Sequence, residues 1–409
     1  MSGKKLYLLL LVVGIMTILG LFVSLGYERT WRIWNIPVMQ PAFYDLRLIT
    51  GGAESYAEGY DPAFENPYDP EQRLFNYPRI WYLVLATGID QQDTLLIGIL
   101  LTLGFFICLT TLRGEFELIT AIVMALVIFS PAVLLGIERG NVDLAIFILL
   151  ALALWGIDIS KTLSLLVLLF AVVLKLYPIL GVGYLLDENK HSVKYTIVGI
   201  LASAAYVVFN WEDMMHIFSD TQKGADVSYG VSVLPTKLLP YLGNYHGTVK
   251  LVLYLIAIGL ILVLGYLAFR NKDQIVADNS NQLSMFRLGA GIYLGTFLLG
   301  NNWDYRLMFL IFAIPQIVGW AKDHTGFTSL VAKICVVTIF ASFWYLEIWR
   351  ISEYAGMAGR VVSFLLDECM NWALFAGLIY LYIKSLPAYV AALVQTVLGQ
   401  HFTHKQQKI

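Results

Sequence analysis

Stretches of about 20 apolar residues recur along this chain, each long enough to cross a hydrocarbon layer of about 30 Å as a helix. Of 409 residues, 58% are apolar and 14% charged, where soluble domains carry about 25% charged residues. The chain is therefore expected to be all-α, a polytopic transmembrane helical bundle of about 11–12 spans in a single domain, 1–409. Expected spans are 6–26, 92–112, 118–136, 142–157, 161–186, 193–210, 249–270, 285–300, 307–321, 328–347 and 361–384. The 161–186 run reads either as one long helix or as two limbs broken at Lys175-Leu176-Tyr177-Pro178, since proline removes a helical donor and restricts the residue before it.

Lysine and arginine in short loops set the orientation. With Lys4 and Lys5 cytoplasmic, Arg113, Lys161, Lys190, Lys194, Arg270, Lys272, Lys322 and Lys384 fall on the same side, provided 161–186 is the broken pair. A straight helix there inverts everything downstream. The outer short loops keep few cations, chiefly Arg139 and Arg306, with Lys175 at the outer tip of its pair. The first apolar stretch exceeds the usual signal-peptide core of roughly 7–15 residues and no A-x-A-like site closes it, so it is expected to stay as an uncleaved helix. Residues 385–409 read as a cytoplasmic tail ending in Lys405 and Lys408.

Two segments are too long and polar to be simple connections. Residues 27–91 form a first extracytoplasmic loop with half of the twelve prolines, nine acidic against five basic residues, and thirteen aromatics. That mixture suits interfacial juxtamembrane helices, and aromatic faces that stack on sugar rings; an aromatic belt without a ligand is the plainer alternative. The second outer loop, 211–248, carries Trp211, His216, Tyr229, Tyr241, Tyr245 and His246. Loops of this length in a compact protein are usually functional.

A net charge of −2 points to no nucleic-acid partner. Cys108, Cys335 and Cys369 all lie in apolar runs without disulfide or zinc spacing and read as buried thiols. No Walker loop, HExxH pair or GxSxG elbow is present, which argues against an ATP-driven pump, a zinc protease and a serine hydrolase.

The ionisable groups that interrupt the apolar runs gather at helix ends predicted to share the outer side: Asp45, Glu138-Arg139-Gly140-Asn141, Lys175, and Asn301-Asn302-Trp303-Asp304-Tyr305-Arg306. Such groups at a bilayer boundary are costly and usually functional. Asp45, beside Tyr44, can serve as a general base, and partial burial against rings raises a carboxyl pKa toward a useful value; a cap or a solvated charge is the alternative. Arg139, Lys175 and Arg306 are candidate phosphate ligands. Their alternatives are an internal salt bridge, for instance Arg139 with Glu138 or Asp143, and for 301–306 a polar hairpin turn. Tyr77, Tyr177 and His246 are candidate supporting groups. Cations able to stabilise a leaving phosphate make a metal unnecessary, and no cofactor is expected.

The order of these motifs carries a resemblance. Asp45 follows the first helix, then come Gly59-Tyr60-Asp61-Pro62, Phe75-Asn76-Tyr77-Pro78, Arg139-Gly140-Asn141 heading an apolar helix, and Lys175-Leu176-Tyr177-Pro178. The chain resembles the GT-C fold integral-membrane glycosyltransferases of family eighty-seven, which use polyprenol-phosphate-mannose. The resemblance implies inverting transfer of a sugar, mannose foremost, from a polyprenyl-phosphate donor to a lipid or glycan acceptor at the outer leaflet of a bacterial plasma membrane. It also implies Asp45 as base and Arg139 and Lys175 on the donor phosphate. Two positions depart from the family pattern: Arg79 follows Tyr77-Pro78 where a second proline is usual, and Ala63 follows Pro62 where a tyrosine is usual. Both bear on the acceptor side. A transporter or flippase of a lipid-linked or anionic solute is the competing class, but such proteins place charges near the midplane and show repeat symmetry; no convincing repeat is visible here.

Overall fold

The computed structural model describes residues 2–114, 116–224, 226–271, 280–323 and 325–390. They form an all-α protein with one pair of two-residue strands. The helices begin with α1 (Gly3–Leu25), α2 (Tyr27–Ile33), α3 (Arg47–Ala57), α4 (Tyr82–Leu85) and α5 (Thr94–Thr110). The middle of the chain supplies α6 (Leu118–Ile128), α7 (Pro131–Arg139), α8 (Asp143–Ile159), α9 (Lys161–Leu174), α10 (Val193–Phe209) and α11 (Trp211–Asp220). After β1 (Ser228–Tyr229) come α12 (Val233–Leu242), α13 (His246–Arg270) and α14 (Ser280–Leu299). Then follow β2 (Asn302–Trp303), α15 (Ile314–Asp323), α16 (Gly326–Phe343), α17 (Tyr345–Glu353) and α18 (Gly356–Lys384).

Five helical stretches are long and apolar enough to cross a membrane: Gly3–Leu25, Lys190–Phe209, Val233–Arg270, Gly326–Phe343 and Gly356–Lys384. The bent pair α6–α7, angled by 45°, makes a sixth. The protein is thus an integral, multi-pass membrane protein, with fewer full-length spans among the described residues than the eleven or twelve expected. Part of the difference has a local cause, because polar breaks cut two of the apolar runs short. The 118–136 run bends at Phe129-Ser130-Pro131, where the Ser130 hydroxyl caps α7 and Pro131 occupies its first turn. The 161–186 run is the broken form: α9 stops at Leu174, Lys175 is extended (φ −150°, ψ 129°), and residues 177–185 continue as a 3₁₀ limb. The expected tail lies outside the described residues beyond 390, as does Lys272.

The bundle has two chemically distinct ends. At one, the Lys4 ammonium donates to the Leu112 carbonyl, Arg113 pairs with Asp158, Lys161 with Asp187, and Lys322 with Glu117, while Lys384 donates to the Asn271 carbonyl at 2.8 Å. At the other end lies the 27–93 loop. It is tied to the start of α5 by the Thr50–Thr94 hydroxyl pair (2.7 Å) and to the end of α9 by Trp81 Nε1 on the Leu174 carbonyl (3.0 Å).

Between the ends, an aromatic column runs through the core. Phe105 of α5 meets Phe147 of α8 at 4.8 Å, Phe147 stacks on Phe312 at 4.4 Å, and Phe309 meets Tyr177 at 5.4 Å. The 177–185 limb lies flat on α14 because Gly291 faces it. A Cβ there would stand 2.6 Å from the Leu180 carbonyl. This column and limb form the floor on which the charged groups sit.

Candidate functional site

Phe43, at φ 56°, turns the chain into the segment that bears Tyr44 and Asp45. The turn is held from α7. Arg139 closes that helix and Gly140 caps it in the left-handed region (φ 59°, ψ 33°), with the Asn141 N–H returning to the Gly136 carbonyl (3.0 Å). A Cβ at Gly140 would approach Phe43 Cβ to 2.8 Å, so the glycine is required both for its backbone and for the close approach. The Asp45 N–H then donates to the Arg139 carbonyl (3.0 Å). Main chain, not side chain, locates Asp45.

Asp45 is half-buried. Its Oδ2 accepts from Asn141 Nδ2 (2.7 Å), and Arg73 Nη1 stands 3.7 Å from Oδ1. The Asn141 amide is oriented from the other side, its Oδ1 accepting from the Asp143 N–H (2.9 Å) and, more loosely, from Lys175 Nζ (3.5 Å). Burial pushes the Asp45 carboxyl up from its ordinary value, against the Asn141 hydrogen bond and the Arg139, Arg73 and Lys175 cations that favour the ionised form.

Behind Asn141 lies the electrostatic hub. Asp143, fully buried in the first turn of α8, accepts Lys175 Nζ at 2.6 Å and the Tyr177 hydroxyl at 2.9 Å on Oδ1, and Arg306 Nε at 3.1 Å on Oδ2. Arg306 also donates to Asn302 Oδ1 (2.5 Å) and lies over the Tyr177 ring, while Lys175 lies over the Tyr77 ring. Two cations share one carboxylate, so this three-residue cluster carries one positive charge in excess, with the Asp45 carboxylate facing it across Asn141. The other two cations show the opposite balance or parity, Arg73 serving both Asp69 and Asp45 and Arg139 serving Glu138. Arg139 meets Glu138 at 3.0 Å and donates to the Pro37 carbonyl (2.8 Å), and Arg73 is clamped by Asp69 (2.8 Å) over the Tyr44 ring.

Asp45, Arg73, Arg139, Asn141, Lys175, Tyr177 and Arg306 face one cavity of about 620 Å³, together with Tyr44, Tyr77 and Tyr305. A volume in this range holds a small molecule or the head of a larger one. The second long loop reaches the same cavity through Met214, Ile217, Asp220, Thr221, Gln222 and Val227. It is pinned to the first loop by Arg79 on Asp213 (2.7 Å) and His216 Nε2 beside the Ala63 carbonyl (3.0 Å), and to the Arg306 segment by the β1–β2 pair, Ser228 opposite Trp303.

Several expected residues stand elsewhere. His246 opens α13 and does not line the cavity, because the 211–248 loop enters it through the end of α11 and residues 221–227 instead. Asn301 is occupied with the Gly224 backbone, accepting its N–H at 3.1 Å, and holds a turn. Asn302 sits behind the cavity wall and acts on it only through Arg306. Asp304 faces away toward Asp367 and Glu368 of α18, and its Oδ1 has no hydrogen-bond partner among the described residues. Glu138 is buried beneath Arg139 and receives the Met39 N–H (3.1 Å). The salt bridge weighed for Arg139 forms with Glu138, not with Asp143.

Sequence reasoning gives Asp143 no role beyond a possible partner for Arg139, yet it organises the site. A carboxylate in the first turn of a helix that is then apolar as far as Asp158 is its signal. Arg73 is not singled out by the sequence either, and the Asp69–Arg73 spacing of four residues is its only mark. The fold and this cavity define an integral, multi-pass membrane protein with a half-buried acid beside a cationic pocket. No protein-family model, curated protein or solved structure matches the chain.

Proposed function

We propose that this protein is an inverting membrane glycosyltransferase of GT-C type that moves a sugar, mannose foremost, from a polyprenyl-phosphate donor to a lipid or glycan acceptor at the outer leaflet. The observation that carries the reading is the single surplus positive charge of the Lys175–Asp143–Arg306 cluster beside the half-buried carboxylate of Asp45 in one cavity. A phosphodiester brings one negative charge, equal to the excess of Lys175 and Arg306 over Asp143 at the donor end, while Asp45 stands across Asn141 on the acceptor side. A diphosphate-linked or nucleotide donor brings at least one more, and in a half-buried site an uncompensated charge is costly.

In this reading the donor phosphate lies against Lys175 and Arg306, with Arg139 nearby. The acceptor hydroxyl lies against Asp45, which takes its proton as the oxygen attacks the sugar carbon that bears the phosphate. The new C–O bond forms on the face opposite the breaking one. Polyprenyl phosphate departs with the bonding electrons, and the cations meet the charge that builds on its oxygen. Arg73 and Asn141 orient Asp45. The resemblance in motif order supports the same assignment, and the positive residues at the opposite end of the bundle support the outward placement of the cavity.

The test is incubation of the purified protein with a panel of polyprenyl-phosphate sugars and membrane lipid extract, with the lipid products read by mass spectrometry. Transfer from a monophosphate-linked donor is the expected result. Exclusive use of a nucleotide or diphosphate-linked donor, or translocation of the lipid across vesicles without any covalent change, rejects the reading.

A further inference from the structure

The lining that the two long loops give the cavity differs in chemistry from the Lys175–Arg306 cluster. Its polar lining comes from the two long loops: Glu71 and Asn76 from the first, Asp220, Thr221 and Gln222 from the second. Glu71, Thr221 and Gln222 are exposed, so this loop lining is open to solvent. The Tyr44 hydroxyl belongs to it too. Its side chain is only 2% exposed, and the hydroxyl makes no hydrogen bond of good geometry among the described residues although Glu71 lies beside it. Asp220 Oδ2 is buried and likewise lacks a hydrogen-bond partner there, with His216 Nδ1 at 3.3 Å.

The charge count on this side is negative. Arg73 is already clamped by Asp69 and shared with Asp45, which leaves Glu71 and Asp220 with no lysine or arginine of their own among the described residues. Two carboxylates, an amide pair and two hydroxyls make an array of acceptors and neutral donors. That array matches the hydroxyl groups of a sugar and opposes a second anion. We infer that the part of the acceptor entering this cavity is an uncharged, hydroxyl-rich group, a sugar residue and not a phosphate or carboxylate headgroup. The inference rests on the glycosyl-transfer reading above and narrows its acceptor. Any charge on the acceptor lipid is then held outside the cavity, beyond the loops.

The experiment uses the full chain in nanodiscs and two glycolipids that differ in one group, a neutral hexosyl lipid and the same lipid as its uronic acid. Equilibrium binding of each is measured without donor, and initial transfer rates are measured with polyprenyl-phosphate mannose and polyprenyl-phosphate glucose. The neutral glycolipid is expected to bind and react at least about tenfold better, the size of effect a like-charge contact produces. Glu71→Gln with Asp220→Asn is expected to close most of that gap by improving the uronic acid, and Gln222→Ala to weaken the neutral glycolipid while leaving donor binding in place. Equal or stronger binding of the uronic acid, or a preference unmoved by the double variant, overturns the inference. Donor consumption with the wrong acceptor preference defeats this proposal alone, whereas no donor consumption with either glycolipid defeats the transfer reading as well.

Discussion

Under the proposed chemistry two demands meet at Asp45: the carboxylate must be ionised to accept a proton, and basic enough to hold it. Burial raises its pKa while Asn141 and the nearby cations keep the ionised form accessible. Asp45→Asn keeps size and polarity, so it is expected to lower transfer by about 10²–10⁴-fold while leaving donor binding nearly intact, as measured by single-turnover kinetics beside equilibrium binding. Transfer at the normal rate would remove Asp45 from the base role. The pH profile carries the same information. A base works deprotonated, so kcat/KM should fall as pH drops through the Asp45 pKa, and that acid limb should lie above the ordinary aspartate value of about 3.9. A limb at or below that value means the carboxyl responsible is an ordinary solvated one. Lys175→Ala is expected to weaken donor binding by about 10–100-fold, the range of a hydrogen bond to a charged group. Asp143 keeps Arg306 as a partner in that variant, so the fold should survive; unchanged affinity would place the phosphate elsewhere.

Among the elements, the short break between α7 and α8 does the most positioning. Arg139, Gly140 and Asn141 respectively supply a cation and a carbonyl for the Asp45 N–H, a left-handed cap, and the amide that holds the Asp45 carboxylate. Gly140→Ala is expected to cost about 1–2 kcal/mol in stability, from the left-handed backbone alone, and more from the clash with Phe43. The checks are thermal unfolding in detergent and turnover, and activity should fall further than stability because Asp45 moves with the cap. This break is legible in the sequence, since charged residues and a glycine set between two apolar runs rarely mark anything but the end of one helix and the start of the next. So is the interruption at Lys175, which the distribution of lysines requires. The shortened spans are less legible, because hydropathy marks where a chain is apolar but not where a helix ends. The placement of His246 and Asp304 cannot be read at all. Asp304 lies between Trp303 and Tyr305, which do line the cavity, and His246 ends a loop whose earlier part does; which way a loop turns depends on contacts from distant elements.

For the whole molecule, the pairing of loops far apart in sequence decides what the site is. The first loop, the end of α11 and the Arg306 segment are held together by Arg79–Asp213, His216 beside the Ala63 carbonyl, the β1–β2 pair and the Asn301 turn. Local sequence holds no record of that convergence, which is why the weight of Asp143, met by Lys175 and Arg306 from separate parts of the chain, emerges only in three dimensions. The outward placement of the cavity is open to direct measurement. A cysteine at Gln222→Cys, with Cys108, Cys335 and Cys369 replaced, should react in intact cells with a maleimide that cannot cross the membrane. Labelling only after the cells are opened would invert the topology. The shared carboxylate also bears on how a catalytic cycle ends. Under the proposed chemistry, loss of the sugar turns a diester into a monoester, whose second ionisation near pH 6 gives it up to about one more negative charge than the donor. A pocket tuned only for tight capture would then cling to its spent lipid. With Asp143 already holding both cations, the departing phosphate meets a built-in rival, and the vacated cations fall back on that carboxylate until the next donor arrives.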